Sequence, residues 1–157
     1  MTHWGVGPRF GFYMVPYCIL MVVISLYLDP LFKITFIPYH ALATTGIILI
    51  LMGIPFYVIS LNAVMRAFKA GSLITNGVYG MCRHPVYSAW IVFYIPGIML
   101  LINTWLGLTA PFVLYFVLIT LVKEEDIFLE KTYGDTYLDY KQSVPAVFPI
   151  GWLRSKA

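Results

Sequence analysis

The residues of this chain that could do chemistry are concentrated at two points along the sequence. The first point, residues 76–87, reads NGVYGMCRHPVY, and the second, residues 123–126, reads KEED. Adjacent carboxylates such as Glu124 and Glu125 can accept hydrogen bonds from a cationic group such as a ligand's amine, and charge strengthens those bonds. The sequence therefore indicates a polar binding site, provided that the two points meet.

The spacing between the two points predicts that they do meet. Residues 86–102 and 105–122 are apolar runs of about 17 and 18 residues, each close to one bilayer crossing, and a polar turn at 103–104 separates them. Two crossings return the chain to the side it left. We therefore expect one polar site at a membrane face, formed by these residues: Arg83, His84, Glu124 and Glu125.

The composition supports the membrane assignment. The chain has 157 residues, of which 61% are hydrophobic and 11% charged, and its mean hydropathy is +0.84. A soluble fold needs a more charged surface, so we expect a single integral membrane domain over residues 1–157. The net charge of +3 is small and predicts no nucleic-acid partner. The cysteines and histidines lie far apart, which predicts neither a disulfide framework nor a metal site.

Four membrane spans are predicted, at roughly residues 10–28, 39–61, 86–102 and 105–122. All should be helices because an open sheet edge cannot lie in lipid, so the expected fold class is all-α and polytopic. We interpret the first run as a retained span, since no small-residue cleavage site follows it. The second helix should continue past residue 61 and end at Gly71.

The basic residues predict the orientation. With four spans, the N-terminus, a loop at residues 69–85 and the C-terminus share one side, and nine of the ten Lys and Arg residues lie there. The other side has only Lys33. This positive-inside pattern places both termini and the polar site in the cytoplasm. The nine residues are Arg9, Arg66, Lys69, Arg83, Lys123, Lys131, Lys141, Arg154 and Lys156.

The segment 123–157 is predicted to form an amphipathic C-terminal cap. Acidic residues alternate there with apolar ones, a helix leaving the fourth span should break near Gly134, and Pro145 and Pro149 should force an extended tail. The apolar face of this segment could lie on the membrane or cover the loop at 69–85, and periodicity favours neither arrangement.

Several residues of the first polar point are suited to ligand contact, although each also has a structural explanation. Gly77 allows close backbone approach, and Tyr79 and Tyr87 offer rings for stacking. Pro85 fixes a helix start, so that amides of the next turn can face an anion. The structural alternative is that Arg83 only contributes to the positive-inside pattern and that Glu124 and Glu125 lie on a solvated helix end.

Taken in order, these residues resemble the isoprenylcysteine carboxyl methyltransferase family, a group that also includes phospholipid N-methyltransferases. The similarity covers about residues 72–149. The motifs in this order are specific for the family, although each motif alone is not. The set consists of Gly77-Val78-Tyr79, Arg83-His84-Pro85-x-Tyr87, the apolar hairpin, Glu124-Glu125, Tyr133-Gly134-x-x-Tyr137-x-x-Tyr140, Val144-Pro145 and Pro149.

The resemblance implies a methyltransferase that uses S-adenosylmethionine and a lipophilic substrate drawn from the membrane lipids. The cofactor's ammonium suits Glu124 or Glu125, its carboxylate suits His84 or the amides after Pro85, and its adenine suits the wall at Val78 and Tyr79. The implied cofactor-binding residues are Gly77, Val78, Tyr79, Arg83, His84, Pro85, Tyr87, Glu124 and Glu125.

The chain departs from this family at the place where a basic residue could address an acceptor carboxylate. Ser143 and Ala146 occupy the expected positions, and the nearest basic residue is Lys141. A lipid amine, thiol or headgroup is therefore a credible acceptor, with Glu130 and Asp139 as candidates to orient or deprotonate it and Lys141 as a candidate cation.

Two other functions remain open at this stage. Sterol-type reductases that use NADPH carry a similar Arg-His-Pro-x-Tyr and Glu-Glu ending, but they are longer and usually have Asn at the position of Val86. A non-enzymatic membrane scaffold could also retain the fold. Binding of S-adenosylmethionine, of NADPH or of neither would distinguish the three.

Overall fold

The computed structural model describes residues 6–149, and helices joined by irregular connections make up that part of the chain. The helices are α1 (Gly7–Tyr27), α2 (Tyr39–Ala70), α3 (Val78–Met81), α4 (Pro85–Ser88), α5 (Ile95–Ile102), α6 (Ala110–Tyr133) and α7 (Asp135–Ser143). A π-helical segment, Ala89–Tyr94, joins α4 to α5. Within the described residues only an isolated bridge between Lys33 and Thr104 has strand-like pairing. The all-α prediction is confirmed.

Three helices between residues 6 and 149 are long and apolar enough to cross a membrane: Gly7–Tyr27, Tyr39–Ala70 and Pro85–Ile102. We call the last one the third span; it comprises α4, the π-helical segment and α5. α2 ends as predicted, because Gly71 takes a left-handed conformation and its amide bonds the carbonyl of Phe68. The chain is therefore an integral membrane protein.

The predicted fourth span is only partly realised. Asn103 has a left-handed conformation, a 3₁₀ turn covers Gly107–Thr109, and α6 therefore begins only at Ala110. From Ala110 to Val122 the helix is apolar for about 20 Å, which is shorter than a hydrocarbon core of about 30 Å. The count of four spans is thus not confirmed, although α6 does run back beside the third span and form the predicted hairpin.

Glycines bring α2 and the third span into direct backbone contact. A Cβ built on Gly46 would lie 2.7 Å from the carbonyl oxygen of Gly97, and one built on Gly97 would lie 2.8 Å from that of Gly46. One on Gly53 would lie 2.9 Å from Cβ of Phe93. Small residues allow membrane helices to approach closely, and this contact fixes α2 against the third span.

Polar bonds join the elements at the end of the bundle opposite the predicted site. Ser25 Oγ lies 2.6 Å from Thr104 Oγ1, which links α1 to the turn after the third span. The Trp105 amide donates to the carbonyl of Phe32 at 3.0 Å. The second bond satisfies irregular backbone of the two connecting segments, as backbone away from regular helices requires.

The packed interior connects α1, the third span and α6 with the segment after α7. Phe10, Leu114, Leu118 and Val122 are buried together with Val147, which is 1% exposed. The predicted tail therefore returns to the bundle and becomes part of its core.

α6 and α7 are separated at Gly134, which has φ of +56°, as the sequence predicted. Tyr137 and Tyr140 of α7 are buried, and the Tyr140 hydroxyl donates to the carbonyl of Tyr79 at 2.7 Å. Of the two arrangements that the sequence left open, the cap covers the loop at 69–85. Residues 150–157 of the predicted cap lie outside the described part of the chain.

Candidate functional site

A buried ion pair joins the two polar points. Nη1 of Arg83 donates to Oδ1 of Asp126 at 2.7 Å, and both side chains are about one-tenth exposed. The Tyr137 hydroxyl donates to the same carboxylate oxygen and accepts from Nη1 of Arg83 at 3.0 Å. Nε of Arg83 donates to the carbonyl of Val144 at 3.2 Å. The guanidinium thus connects the loop, α6, α7 and the tail.

The neighbouring groups shift the pKa values of Asp126 and Tyr137 in opposite directions. Burial opposes ionisation of Asp126, but the neighbouring His84, Tyr137 and Arg83 outweigh it and hold the pKa of Asp126 well below its usual range. Burial and the Asp126 carboxylate raise the pKa of Tyr137, so its hydroxyl stays protonated and keeps donating. The ionised carboxylate is therefore the stable form at neutral pH.

Lys141 adds a second cation to the same carboxylate. Its Nζ lies 3.6 Å from Oδ2 of Asp126 and 3.7 Å from Oε2 of Glu130. These separations describe ion pairs at the partly exposed edge of the cluster. Two of the predicted catalytic candidates, Glu130 and Lys141, thus lie beside each other, whereas Asp139 is exposed on α7.

The tail pairs with the loop through main-chain hydrogen bonds. The amide of Arg83 donates to the carbonyl of Pro145 and that of His84 to the carbonyl of Ala146, both at 2.9 Å. Ser88, which is fully buried, donates from Oγ to the carbonyl of Val147. Three consecutive tail residues therefore hold the last two residues of the loop and the first turn of the third span.

The first part of the loop forms the short helix α3. Gly77, with φ of +60°, precedes it, which is a conformation that suits glycine. Val78 and Tyr79 follow and are half-buried. Cys82 is fully buried, its Sγ lies 3.4 Å from Oγ of Ser88, and burial raises the pKa of this thiol to about 11. The thiol is therefore protonated and unreactive at neutral pH.

Pro85 begins the third span at its first turn, and no side chain caps that helix start. Two residues later the Tyr87 ring contacts Phe10 of α1, with ring centroids 5.6 Å apart, and lies 6.1 Å from the His84 ring. A Cβ on Gly7 would lie 3.7 Å from the Tyr87 hydroxyl oxygen. The beginning of α1 therefore lies over the start of the third span.

The two adjacent glutamates have different surroundings. Glu124 is 63% exposed and accepts a hydrogen bond from Nη1 of Arg9 at 2.6 Å. Oε2 of Glu125 is buried and has no hydrogen-bond partner among residues 6–149. After burial itself, the Glu125 carboxylate contributes most to raising the pKa of Tyr79, so the two groups lie near each other. Glu125 faces the loop, and Glu124 faces α1.

His84 provides a second buried polar atom in this region. The residue is 4% exposed, and its Nε2 lacks a hydrogen-bond partner within the described part of the chain. Nε2 is 3.6 Å from Oδ1 of Asp126, which is too long for a hydrogen bond. Buried polar atoms are normally paired, so both Glu125 and His84 require an explanation.

The comparison with known proteins identifies the family. The model of the isoprenylcysteine carboxyl methyltransferase family matches residues 41–131, which is more than half of the chain. The chain belongs to this family. No solved structure matches it.

Several curated relatives carry the same name, protein-S-isoprenylcysteine O-methyltransferase. The mouse protein is 34% identical over 91 residues, which is 57% of this chain and 32% of the relative. The human protein is 33% identical over 79 residues, 50% of this chain and 28% of the relative. Protein-S-isoprenylcysteine O-methyltransferase B of Arabidopsis thaliana is 27% identical over 86 residues, which is 55% of this chain and 44% of the relative. The chain thus matches only about a third of the length of its mammalian relatives.

In this member of the methyltransferase family the two polar points do come together, but the contact is made by a residue that was not among the predicted site residues. Asp126, next to the Glu-Glu pair, is the carboxylate that meets Arg83, and Tyr137 completes the contact. Neither glutamate makes this contact: Glu124 contacts Arg9, and Glu125 lies on the Tyr79 side of the loop. The tyrosine spacing after Gly134 was the available signal for Tyr137.

Proposed function

We propose that this protein is an integral membrane methyltransferase that uses S-adenosylmethionine and acts on a lipophilic acceptor at the cytoplasmic membrane face. Membership of the methyltransferase family supports a methyl donor. The observation that carries the cofactor assignment is the buried carboxylate oxygen of Glu125, which has no hydrogen-bond partner within residues 6–149. A ligand ammonium can donate a charge-assisted hydrogen bond to such an oxygen.

The residues present fit the cofactor. Glu125 would bind its ammonium, and Val78 and Tyr79 would form a wall for its adenine. Its carboxylate would lie by Nε2 of His84, the second buried atom without a partner in the described residues, or by the uncapped amides after Pro85. When bound, S-adenosylmethionine supplies an electrophilic methyl group on a sulfonium. Gly77, Arg83, Tyr87 and Glu124 belong to the surrounding loop and rim.

In this proposal the buried ion pair positions the site and does not bind the cofactor. Arg83 and Asp126 hold the loop against α6, and the tail holds the backbone of Arg83 and His84. A fixed loop keeps Tyr79 and His84 oriented before any ligand arrives, which reduces the cost of ordering them on binding. Positioning of the reacting groups is the main requirement of a methyl transfer.

An apolar cavity supports a lipophilic acceptor. It has a volume of about 310 Å³ and lies between α1 and the third span. One end of the cavity is lined by Trp90, which lies about one helical turn beyond Tyr87. A lipid whose hydrocarbon chain fills the cavity would therefore place its polar head near the polar site. Burial of such a chain is favourable and also excludes water from the reacting groups. The cavity is lined on α1 by Met14, Cys18 and Val22 and on the third span by Trp90, Ile98 and Met99.

We also propose an orientation in the membrane, a single domain and candidate catalytic residues. The basic residues favour cytoplasmic termini and a cytoplasmic loop. We treat residues 1–157 as one methyltransferase domain. Glu130 and Lys141 lie at the edge of the site, where Glu130 could orient a nucleophile. Asp139 is exposed on α7 and is therefore the weaker candidate for a catalytic role.

A cofactor titration tests the proposal. Purified protein in lipid nanodiscs is titrated separately with S-adenosylmethionine and with NADPH, and binding is measured by calorimetry. Binding of S-adenosylmethionine alone, followed by transfer of labelled methyl to a membrane lipid fraction or a prenylated cysteine analogue, supports the proposal. Binding of NADPH alone would favour the reductase alternative, and binding of neither would favour a scaffold.

A further inference from the structure

A second apolar groove lies between α1 and α6. It has a volume of about 370 Å³. Successive residues of a helix point about 100° apart, so Tyr13, which lines this groove, lies almost opposite Val15, which lines the cavity described above. The groove is therefore separate from the cavity that we assign to the acceptor. Its lining consists of Tyr13 on α1 and, on α6, Phe116, Val117, Thr120 and Leu121.

The surface of this groove suits a hydrocarbon chain. Phe116 is 63% exposed and Tyr13 is 52% exposed, so both present apolar rings to the surrounding lipid. The Thr120 hydroxyl donates to the carbonyl of Phe116 at 3.0 Å and needs no partner in the groove. Lipid tails are as apolar as this lining, so packing of a chain alone selects no particular lipid. Selection has to come from the headgroup.

The two helices run antiparallel along the groove. Nη1 of Arg9 contacts Glu124 near one end, and the Tyr17 hydroxyl lies 3.5 Å from Oγ1 of Thr109 farther along. The start of α1 therefore meets the charged part of α6, where the apolar residues end at Val122. This end of the groove lies where the headgroups of the lipids begin.

Two basic residues lie at this end of the groove. Arg9 is one turn from Tyr13 on α1, and Lys123 is one turn from Thr120 on α6, so both lie close to the groove. Lys123 is exposed and forms no ion pair within residues 6–149. Arg9 bonds Glu124 through Nη1 alone, and a guanidinium has further N–H donors. Both side chains can therefore donate to an anion while the bond between Arg9 and Glu124 stays intact.

The charges around this end favour an anionic headgroup. Glu124 offsets the charge of Arg9, and the charge of Lys123 is left without a partner in the described residues. Glu125 is turned toward the loop, and Asp126 is already paired in the buried cluster. Lipid phosphate accepts charge-assisted hydrogen bonds from such cations. A zwitterionic lipid carries an ammonium as well, which Lys123 repels.

We propose that this groove binds an anionic phospholipid such as phosphatidylglycerol, with one acyl chain between α1 and α6 and the phosphate held by Lys123 and Arg9. The bound lipid links the two helices and so keeps the beginning of α1 over the start of the third span, where Phe10 contacts Tyr87. This site is distinct from the proposed cofactor and acceptor sites and does not depend on methyl transfer.

Native mass spectrometry of the full chain in detergent tests the proposal. The protein is titrated with dioleoylphosphatidylglycerol and, separately, with dioleoylphosphatidylcholine, which has the same chains. We expect the first phosphatidylglycerol to bind about fivefold more tightly, which is the contribution of one basic residue to the attraction of anionic lipid. High salt should reduce this preference. Equal affinities for the two lipids would overturn the proposal.

Variants of the basic residues make the test specific. Lys123→Gln alters an exposed side chain and should abolish the preference for phosphatidylglycerol. Lys69→Gln removes the same charge from the exposed end of α2, which packs against the third span, and should preserve the preference. An equal loss in both variants would mean that net charge alone attracts the lipid, and would overturn the assignment to this groove.

Variants of the groove test the position of the chain. Thr120→Trp places an indole in the groove and should weaken binding of both lipids by about threefold or more, because the chain loses its packing contacts. Phe112→Trp alters the same helix at a residue that is 71% exposed and outside the groove lining, and it should bind like the parent. Unchanged binding in Thr120→Trp would overturn the proposal.

Other occupants of the groove give different results in the same spectra. Glycerol 3-phosphate has the phosphate without the chains and should not displace the phospholipid. Displacement by it would indicate a site for free phosphate and would overturn the proposal. A dimer that Thr120→Trp abolishes would show that a second copy of the chain fills the groove, which would also overturn it.

Discussion

The guanidinium of Arg83 and the carboxylate of Asp126, 43 residues apart in the sequence, lie 2.7 Å apart and bury each other at the end of the hairpin. This contact closes the two apolar helices into one unit. It also connects the start of the third span with the point at which α6 leaves the apolar region.

Removing the charge of Asp126 should destabilise the fold. In Asp126→Asn the buried Arg83 loses its counter-ion, and breaking a buried ion pair from one side costs about 3 kcal/mol. The free energy of unfolding is measured in mixed micelles by adding a denaturing detergent and following the loss of helix by circular dichroism. Asp139→Asn, which alters an exposed carboxylate on α7, is the matched control and should unfold like the parent. Equal stability of both variants would show that the pair contributes nothing net.

The same pair predicts how stability depends on pH. The folded state holds the pKa of Asp126 below its usual range, so its stabilising contribution is complete above the unfolded value of about 3.9 and is lost as the pH falls below it. The stability difference between the parent and Asp126→Asn should therefore stay constant from pH 7 to pH 5 and shrink in more acidic solution. A difference that instead shrinks between pH 7 and pH 5 would contradict the lowered pKa.

Replacing the two adjacent glutamates should have unequal effects on cofactor binding. Glu125→Gln should weaken binding of S-adenosylmethionine by about 1.5–3 kcal/mol, the range for a hydrogen bond to a charged group. Glu124→Gln should change binding little, because that side chain is exposed and faces Arg9. Calorimetric titration of the two variants in the same nanodiscs measures both. The reverse order would place the cofactor's ammonium on the α1 side.

The hydroxyl of Tyr140 should control the order of the loop. In Tyr140→Phe the loop loses the bond to the Tyr79 carbonyl, a net cost of about 1 kcal/mol. Amides of residues 76–82 should then exchange hydrogen faster, measured by mass spectrometry, while those of α2 stay protected. Tyr133→Phe, which alters another tyrosine of the same motif, serves as the control, since no hydrogen bond of its hydroxyl is seen in the described residues. Unchanged loop exchange in Tyr140→Phe would show that α7 does not hold the loop.

Sidedness can be checked by labelling introduced cysteines. Cysteines at Ser72 and Asp135 should react with an impermeant maleimide from one side of the membrane, and one at Phe36, which is 83% exposed, from the other. The positive-inside pattern assigns the first two to the cytoplasm. The parent chain, whose Cys82 is fully buried, gives the background signal. Labelling of Ser72 and Phe36 from the same side would contradict the membrane arrangement of α2.

Much of the fold could be predicted from the sequence because apolar length and turn residues determine it. Two long apolar runs joined by a short polar turn indicated a hairpin that brings the polar points together, and Gly71 and Gly134 end their helices as expected. The start of α6 could not be predicted, since apolar residues continue through the 3₁₀ turn at Gly107–Thr109. Hydropathy alone does not distinguish a helix from an apolar turn.

The side chains of the site were harder to predict than its position. Successive residues on a helix point about 100° apart, so Glu124, Glu125 and Asp126 face α1, the loop and Arg83 respectively. The packing of α6 against its neighbours fixes this rotation, and no local pattern in KEED encodes it. The pairing of the tail with Arg83 and His84 was also not predicted, because it involves irregular backbone that has no periodic signal.

That pairing has a consequence for the order of events during synthesis. The amides of Arg83 and His84 bond to the carbonyls of Pro145 and Ala146, and chains emerge from the ribosome N-terminus first. The three apolar helices can therefore enter the membrane while the loop before the third span still lacks these partners. The loop reaches its final form only after residue 147 has been released, so an inserted but inactive nascent chain precedes the finished protein.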